Sequence, residues 1–278
     1  MAWERLGSVD PRMLGEARGT AHWATQIAAA AGSSLASVRP DESHTSLEWS
    51  ADLAALVGPE LELAPCRAAL RVADLQLMIL DKTGRVSAEL SLVGRKLQDG
   101  IRWLGESIPR SLDATRVDLV RPRLELPDHP TAHGAPFAIA NALALQELAR
   151  WYKNADSILR ALAAESSKEF TVTPVRCWPH HFDIAFLVAI EASRSIGVGM
   201  APGDASYDEP YFYVTPWPYP QTSERPPLEG QGEWRANGWL GAVLRGSTIC
   251  ADGDGDAQLR RTHAFVRSAI AGCRRLLA

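Results

Sequence analysis

The stretch Trp178-Pro-His-His-Phe-Asp-Ile-Ala185, continuing as Phe186-Leu-Val-Ala-Ile-Glu191, decides how the second half of this chain is organised. Side chains alternate across a strand. A strand over 180–191 places His180, Phe182, Ile184, Phe186, Val188 and Ile190 on one face. His181, Asp183, Ala185, Leu187, Ala189 and Glu191 fall on the other. Both faces continue apolar, which predicts a central strand. The two histidines then stand on opposite faces, so they do not readily share one ion. His181 and Asp183 are the pair on a common face.

Working outward, the second half reads as strands at about 170–177, 181–191, 194–200, 210–215 and 236–249. Gly197, Gly199 and Gly203 lack the dinucleotide fingerprint and have no helix behind them to cradle a phosphate. Met200-Ala-Pro-Gly-Asp204 reads as a tight turn with Pro202 and Gly203 in type II positions. In the aromatic strand that follows, Tyr211, Tyr213 and Thr215 share one face and Phe212 and Val214 the other, the second face being core. Residues 218–233 read as a long exposed loop, and Asp254 or Asp256 caps a last helix whose arginines gather at its end. Asp252-Gly-Asp-Gly-Asp256 is no calcium loop, because the sixth and twelfth positions are Ala257 and His263.

The first half begins with an alanine-rich helix at 14–31, which Gly32 is expected to stop. Ser43–Ser50 is short and extended, and Leu70–Leu80 carries alternating apolar positions. Asp81-Lys-Thr-Gly84 is a hairpin turn into the strand Arg85–Ser91. Ser91 is expected to cap a helix with the stripe Val93, Leu97, Ile101 and Leu104. Residues 116–126 read as an edge strand, where Pro122 is tolerated. Leu126–Pro136 is the linker candidate, and a helix over 136–164 follows with Pro136 in its first turn. The expected organisation is two α+β halves, 1–127 and 128–278, sharing a core or merged into one domain. Each half runs helix, extended segment, hairpin strands, helix. Trp23 and Trp49 stand almost as far apart as Trp151 and Trp178, a weak sign of duplication.

The overall expectation is an α+β protein with antiparallel sheets and about four main helices. The chain has 278 residues, enough to bury a real core. Its net charge of −4 argues against a nucleic-acid binder, which carries a basic excess. The beginning lacks a signal-peptide pattern and no apolar run is long enough to span a bilayer. The four cysteines lie far apart and predict reduced, mostly buried thiols. These features point to a cytoplasmic protein without nucleic-acid or membrane partners. No nucleophile elbow, P-loop or H-E-x-x-H motif occurs. No cofactor is specified.

The order of segments resembles an uncharacterised bacterial family, a domain of unknown function. The resemblance rests on Trp23-Ala-Thr-Gln26, the helix around Leu148–Leu159, Trp178–Ala185, Met200–Asp204 and Tyr211-Phe-Tyr-Val214. The doubled histidine and the Met200-Ala201 pair depart from that family's pattern. The resemblance implies an order of elements and no activity.

Two readings of the central stretch stand open. In one, a small-molecule or metal site, hydrolase-like if catalytic, uses His181 as base or ligand oriented by Asp183. Trp178, His180, Asp204, Glu209, Tyr211 and Tyr213 would supply ligand contacts, whether or not a metal is bound. In the other, the protein is a non-catalytic interaction or regulatory module, and the same polar residues tie strands and turns together.

Overall fold

A computed structural model describes residues 3–62, 64–108, 117–191 and 193–278. The fold is α+β, with two antiparallel sheets and four long helices among the described residues. Contacts divide the chain into two compact units that are not consecutive in sequence. A five-strand unit comprises Glu16–Ala149 and Cys177–Phe182; a large-sheet unit comprises Met1–Gly15, Arg150–Arg176 and Asp183–Ala278.

The first elements are α1 (Gly15–Leu35), β1 (Glu48–Ser50), β2 (Ala55–Val57), β3 (Arg67–Arg71), β4 (Gln76–Leu80), β5 (Val86–Ser91) and α2 (Leu97–Ser107). The five strands form a meander in chain order. Gly32 does not end α1. It lies inside the helix, where the His44 carbonyl passes 2.3 Å from the place a Cβ would occupy and leaves room only for glycine. The segment 70–80 is not one strand: a turn over 72–75, with Leu75 in the left-handed region, makes it the β3–β4 hairpin. The next hairpin forms as its residues dictate. Asp81 Oδ1 accepts from the amides of Thr83 and Arg85, and Gly84 takes φ +81°. α2 begins at Leu97, later than expected, because Asp99 Oδ2 reaches back to the Lys96 amide. Leu97, Ile101 and Leu104 are buried and Val93 is exposed.

No ladder forms over 117–126, since Val120 bonds Ser34 instead of a strand; residue 116 lies outside the described residues. The expected linker is packed into the five-strand unit. The Trp23 indole donates to the Pro127 carbonyl, and the His129 ring lies over Gly19. The following helix, α3 (Ala142–Ser166), starts six residues after Pro136, where Asn141 Oδ1 accepts from the amides of Leu143 and Ala144. It runs from one unit into the other.

The remaining elements are β6 (Thr171–Val172), β7 (Arg176–Trp178), β8 (Asp183–Glu191), β9 (Arg194–Ala201), β10 (Tyr211–Trp217), β11 (Glu233–Arg235), β12 (Gly241–Arg245), α4 (Gly246–Cys250) and α5 (Gly255–Leu277). The expected strand 236–249 is thus only β12, followed by a short helix. The large sheet runs β11-β12-β10-β9-β8-β6. One face is apolar: Ile184, Phe186 and Val188 of β8, Ile196, Val198 and Met200 of β9, Phe212 and Val214 of β10, Ala242 and Leu244 of β12 are all buried. α5 packs across β9, β10 and β12 and buries Phe265, Val266, Ala269 and Cys273. Asp254 caps α5, its Oδ1 accepting from the Ala257 amide at 2.8 Å. Asp254→Ala is expected to cost about 1 kcal/mol, read from the midpoint of urea unfolding.

Candidate functional site

The second face of the large sheet carries Asp183, Tyr211 and Tyr213 of the residues singled out in the sequence. Register places Asp183 and Ala185 of β8, Gly199 and Ala201 of β9, Tyr211 and Tyr213 of β10, and Val243 and Arg245 of β12 together on it. Gly199 shapes this face. A Cβ there would stand 2.6 Å from the Tyr213 hydroxyl and 2.7 Å from its Cζ. With only a hydrogen at that point, the phenol ring crosses β9, and its hydroxyl donates to Asp183 Oδ2 on β8. Asp183 is buried, and a buried carboxylate needs such partners. Burial, then the charge of Asp183 and the bond to it, push the Tyr213 phenol well above its ordinary pKa, so it remains a donor.

A second tyrosine–carboxylate pair lies beside it. The Tyr211 hydroxyl donates to Asp204 Oδ2 at 2.6 Å. Burial first, then the bond to Asp204, raise its pKa. Asp204 Oδ1 accepts from the amides of Ser206 (2.6 Å) and Tyr207 (3.1 Å), and the Asp204 amide donates to the Tyr207 carbonyl. Gly203 before it takes φ +107°, a backbone state that the expected turn requires. Glu209 is buried and engaged at the start of α4. It accepts from the amide of Ser247 and from its hydroxyl at 3.0 Å.

An arginine–aromatic cluster adjoins these pairs. The Arg235 guanidinium stacks 5.2 Å from the Tyr207 centroid and 5.6 Å from that of Trp239. Arg245 lies 5.3 Å from Tyr207 and is ion-paired with Glu233. Arg235 donates to the Asn237 carbonyl at 3.0 Å and has no ion pair among the described residues. Sequence reasoning missed Arg235, Trp239 and Arg245. Their only signal is that Arg245 alternates with Val243, which is invisible until β12 is paired.

His180 and His181 are not on the strand. Residues 179–182 form a turn, closed by the Phe182 amide donating to the Trp178 carbonyl at 2.7 Å, and β8 begins only at Asp183. Phe182 sits at φ +56°, a position that costs a bulky residue about 1 kcal/mol or more. The five-strand unit compensates. Leu47 and Cys177 exchange both backbone hydrogen bonds, and the Phe182 ring stacks on His22 with centroids 5.1 Å apart. His22 Nε2 and Gln26 Nε2 both bond the Pro179 carbonyl, at 2.8 and 2.7 Å. Trp178 meets His180 edge-on, and the His180 and His181 rings lie 4.2 Å apart, both residues exposed. Partial desolvation and the neighbouring His181 hold the His180 pKa below its ordinary value.

The expected site residues therefore fall in two units. Asp183, Asp204, Glu209, Tyr211 and Tyr213 belong to the large-sheet unit, and Trp178, His180 and His181 to the five-strand unit. The expected His181–Asp183 face pairing is lost, because the turn breaks the alternation between them. His22 and Gln26, which hold the turn, lay unremarked as site residues within α1. Among the described residues no three His, Cys, Asp or Glu side chains are grouped so as to hold a metal ion. Among those residues, too, no helix is long and apolar enough to cross a membrane. Compared with family models, characterised proteins and solved structures, the chain matches none.

Proposed function

We propose that the protein is a non-catalytic interaction module, in which Asp183, Asp204, Glu209, Tyr211 and Tyr213 are structural ties. The observation that carries this reading is that each of the three carboxylates accepts hydrogen bonds from its own unit. A general base needs a lone pair directed at substrate, and a metal ligand needs one directed at the ion. The group left to meet a partner is Arg235. Its guanidinium lies over the rings of Tyr207 and Trp239 and is paired with no carboxylate among the described residues, so its fork of donors can take one from a partner.

Elemental analysis of protein purified without chelators tests the reading, together with unfolding of Asp204→Asn. The expected result is substoichiometric metal and a loss of about 1–2 kcal/mol, as for a hydrogen-bonded charge that loses its acceptor strength. Binding of polyglutamate, weakened by salt and by Arg235→Glu, would support Arg235 as the contact. Stoichiometric zinc, iron or manganese that disappears in His181→Ala would overturn the proposal in favour of a metal site.

A further inference from the structure

The segment Trp3–Ser8 is held in the large-sheet unit like a bound peptide. In an extended chain the backbone groups of alternate residues face the same side. Here both backbone groups of Glu4 are met by one carboxamide. The Glu4 amide donates to Asn154 Oδ1 at 2.9 Å, and Asn154 Nδ2 donates to the Glu4 carbonyl at 2.7 Å. Two residues on, Gln258 does the same for Leu6: the Leu6 amide donates to Oε1 at 2.9 Å, and Nε2 donates to the Leu6 carbonyl at 3.0 Å. Asn154 stands on α3 and Gln258 on α5, and both are fully buried. A carboxamide presents one acceptor and two donors, the complement of a peptide unit, so the two side chains replace a neighbouring strand.

Side chains add selectivity. The Trp3 indole donates to Gln258 Oε1 at 3.2 Å. Glu4 is ion-paired with Lys153, and Arg150 Nε lies 3.9 Å from its other oxygen. Leu6 is buried, and Arg150 reaches on to the Ser8 hydroxyl at 3.1 Å. Gly7 follows at φ +97°, where the chain turns away. Backbone recognition at residues 4 and 6, an anion site at 4 and a buried leucine at 6 together make a site for a short peptide.

We propose that Asn154, Gln258, Lys153 and Arg150 form a peptide-recognition site that accepts the Trp-Glu-x-Leu segment of a second copy of this chain in exchange for its own. The inference stands apart from the Arg235 surface. Exchange of an identical segment needs no new contacts, since every bond made within the chain is remade between chains. The site's ligand class is an extended peptide with a carboxylate two residues before a leucine.

The test uses full-length protein and a fluorescent peptide, Trp3–Asp10. In the double variant Glu4→Ala, Leu6→Ala the resident segment competes poorly while the site's own side chains remain. The peptide is expected to bind this protein about tenfold or more tighter than wild type, because the tethered competitor is weakened. A Glu4→Lys peptide is expected to bind about tenfold more weakly, as for loss of an anchoring charge. If the double variant does not fold, the single variant Glu4→Ala, altered at a half-exposed side chain, carries the same comparison. Equal peptide affinity for variant and wild type, or equal affinity of the two peptides, would overturn the proposal.

Discussion

Gly199→Ala is expected to destabilise the large-sheet unit by about 3–4 kcal/mol, combining overpacking with loss of a hydrogen bond to a buried carboxylate. The new methyl would lie 2.8 Å from the Cβ of Ala185, which the sheet holds in place, and within 2.7 Å of the Tyr213 ring. Ala185 cannot retreat without moving β8, so the phenol must swing away. Doing so removes the donor from Asp183 Oδ2. The prediction separates from a general intolerance of side chains on β9. At neighbouring Gly197 the nearest atom is a Thr215 methyl at 3.1 Å, with Leu187 at an ordinary 3.7 Å, and Gly197→Ala should cost less. A double-mutant cycle with Tyr213→Ala isolates the contact: in that background the added methyl has room, and the two changes should be strongly non-additive. Additive losses in urea unfolding would mean that Tyr213 is not what Gly199 accommodates.

The second large effect is on pH dependence and concerns His22. Burial, opposed by the hydrogen bond to the Pro179 carbonyl and reinforced by Arg18, His181 and His180, lowers its pKa from 6.5 to about 4. A depressed pKa means that the unfolded chain binds the proton more readily than the folded one. The neutral ring's contribution is therefore complete above about pH 6.5 and is lost as pH falls toward 4. The full loss is about 3 kcal/mol, by linkage between the two pKa values. The mechanism is local. A protonated ring would stay desolvated against Phe182 while facing Arg18 and two further imidazoles. Chemical unfolding at pH 7 and pH 4.5 measures the slope, and His22→Gln supplies the control, since glutamine can still donate to Pro179 but does not titrate. The wild type should lose about 2–3 kcal/mol more than the variant across that range. Parallel losses would show that other groups carry the acid sensitivity.

Much of the fold was legible because it rests on short-range chemistry. Strand alternation in β10 correctly assigned Phe212 and Val214 to the core, and in β8 it grouped Ile184, Phe186 and Val188 on one face, which the structure buries. The Asp81–Gly84 hairpin and the Asp254 cap follow from side chains that bond their own backbone within a few residues. The errors share a different cause. A carbonyl from residue 44 requires glycine at position 32 inside α1, and the 126–136 segment packs because of Trp23 and Gly19. Neither partner is near in sequence. The His180–His181 turn departs from the strand pattern for the same reason. A left-handed Phe182 is improbable on local grounds and is held by His22 and Gln26 of α1.

The candidate site divides along the same line. Composition and alternation by themselves determined an α+β protein, and they selected His181 and Asp183 with Trp178, His180, Asp204, Glu209, Tyr211 and Tyr213. Only the tertiary structure decided what those residues do. It brought Tyr213 across Gly199 to Asp183, put His181 in a turn ahead of β8, and set Arg235 over the rings of Tyr207 and Trp239. The physical reason is that a carboxylate's role depends on which donors reach it, and here those donors come from other strands and loops. Asn154 and Gln258 are the extreme case. Nothing around them in sequence marks them, yet together they bind a stretch of backbone about 150 and 250 residues away, through hydrogen bonds that exist only once the chain has folded.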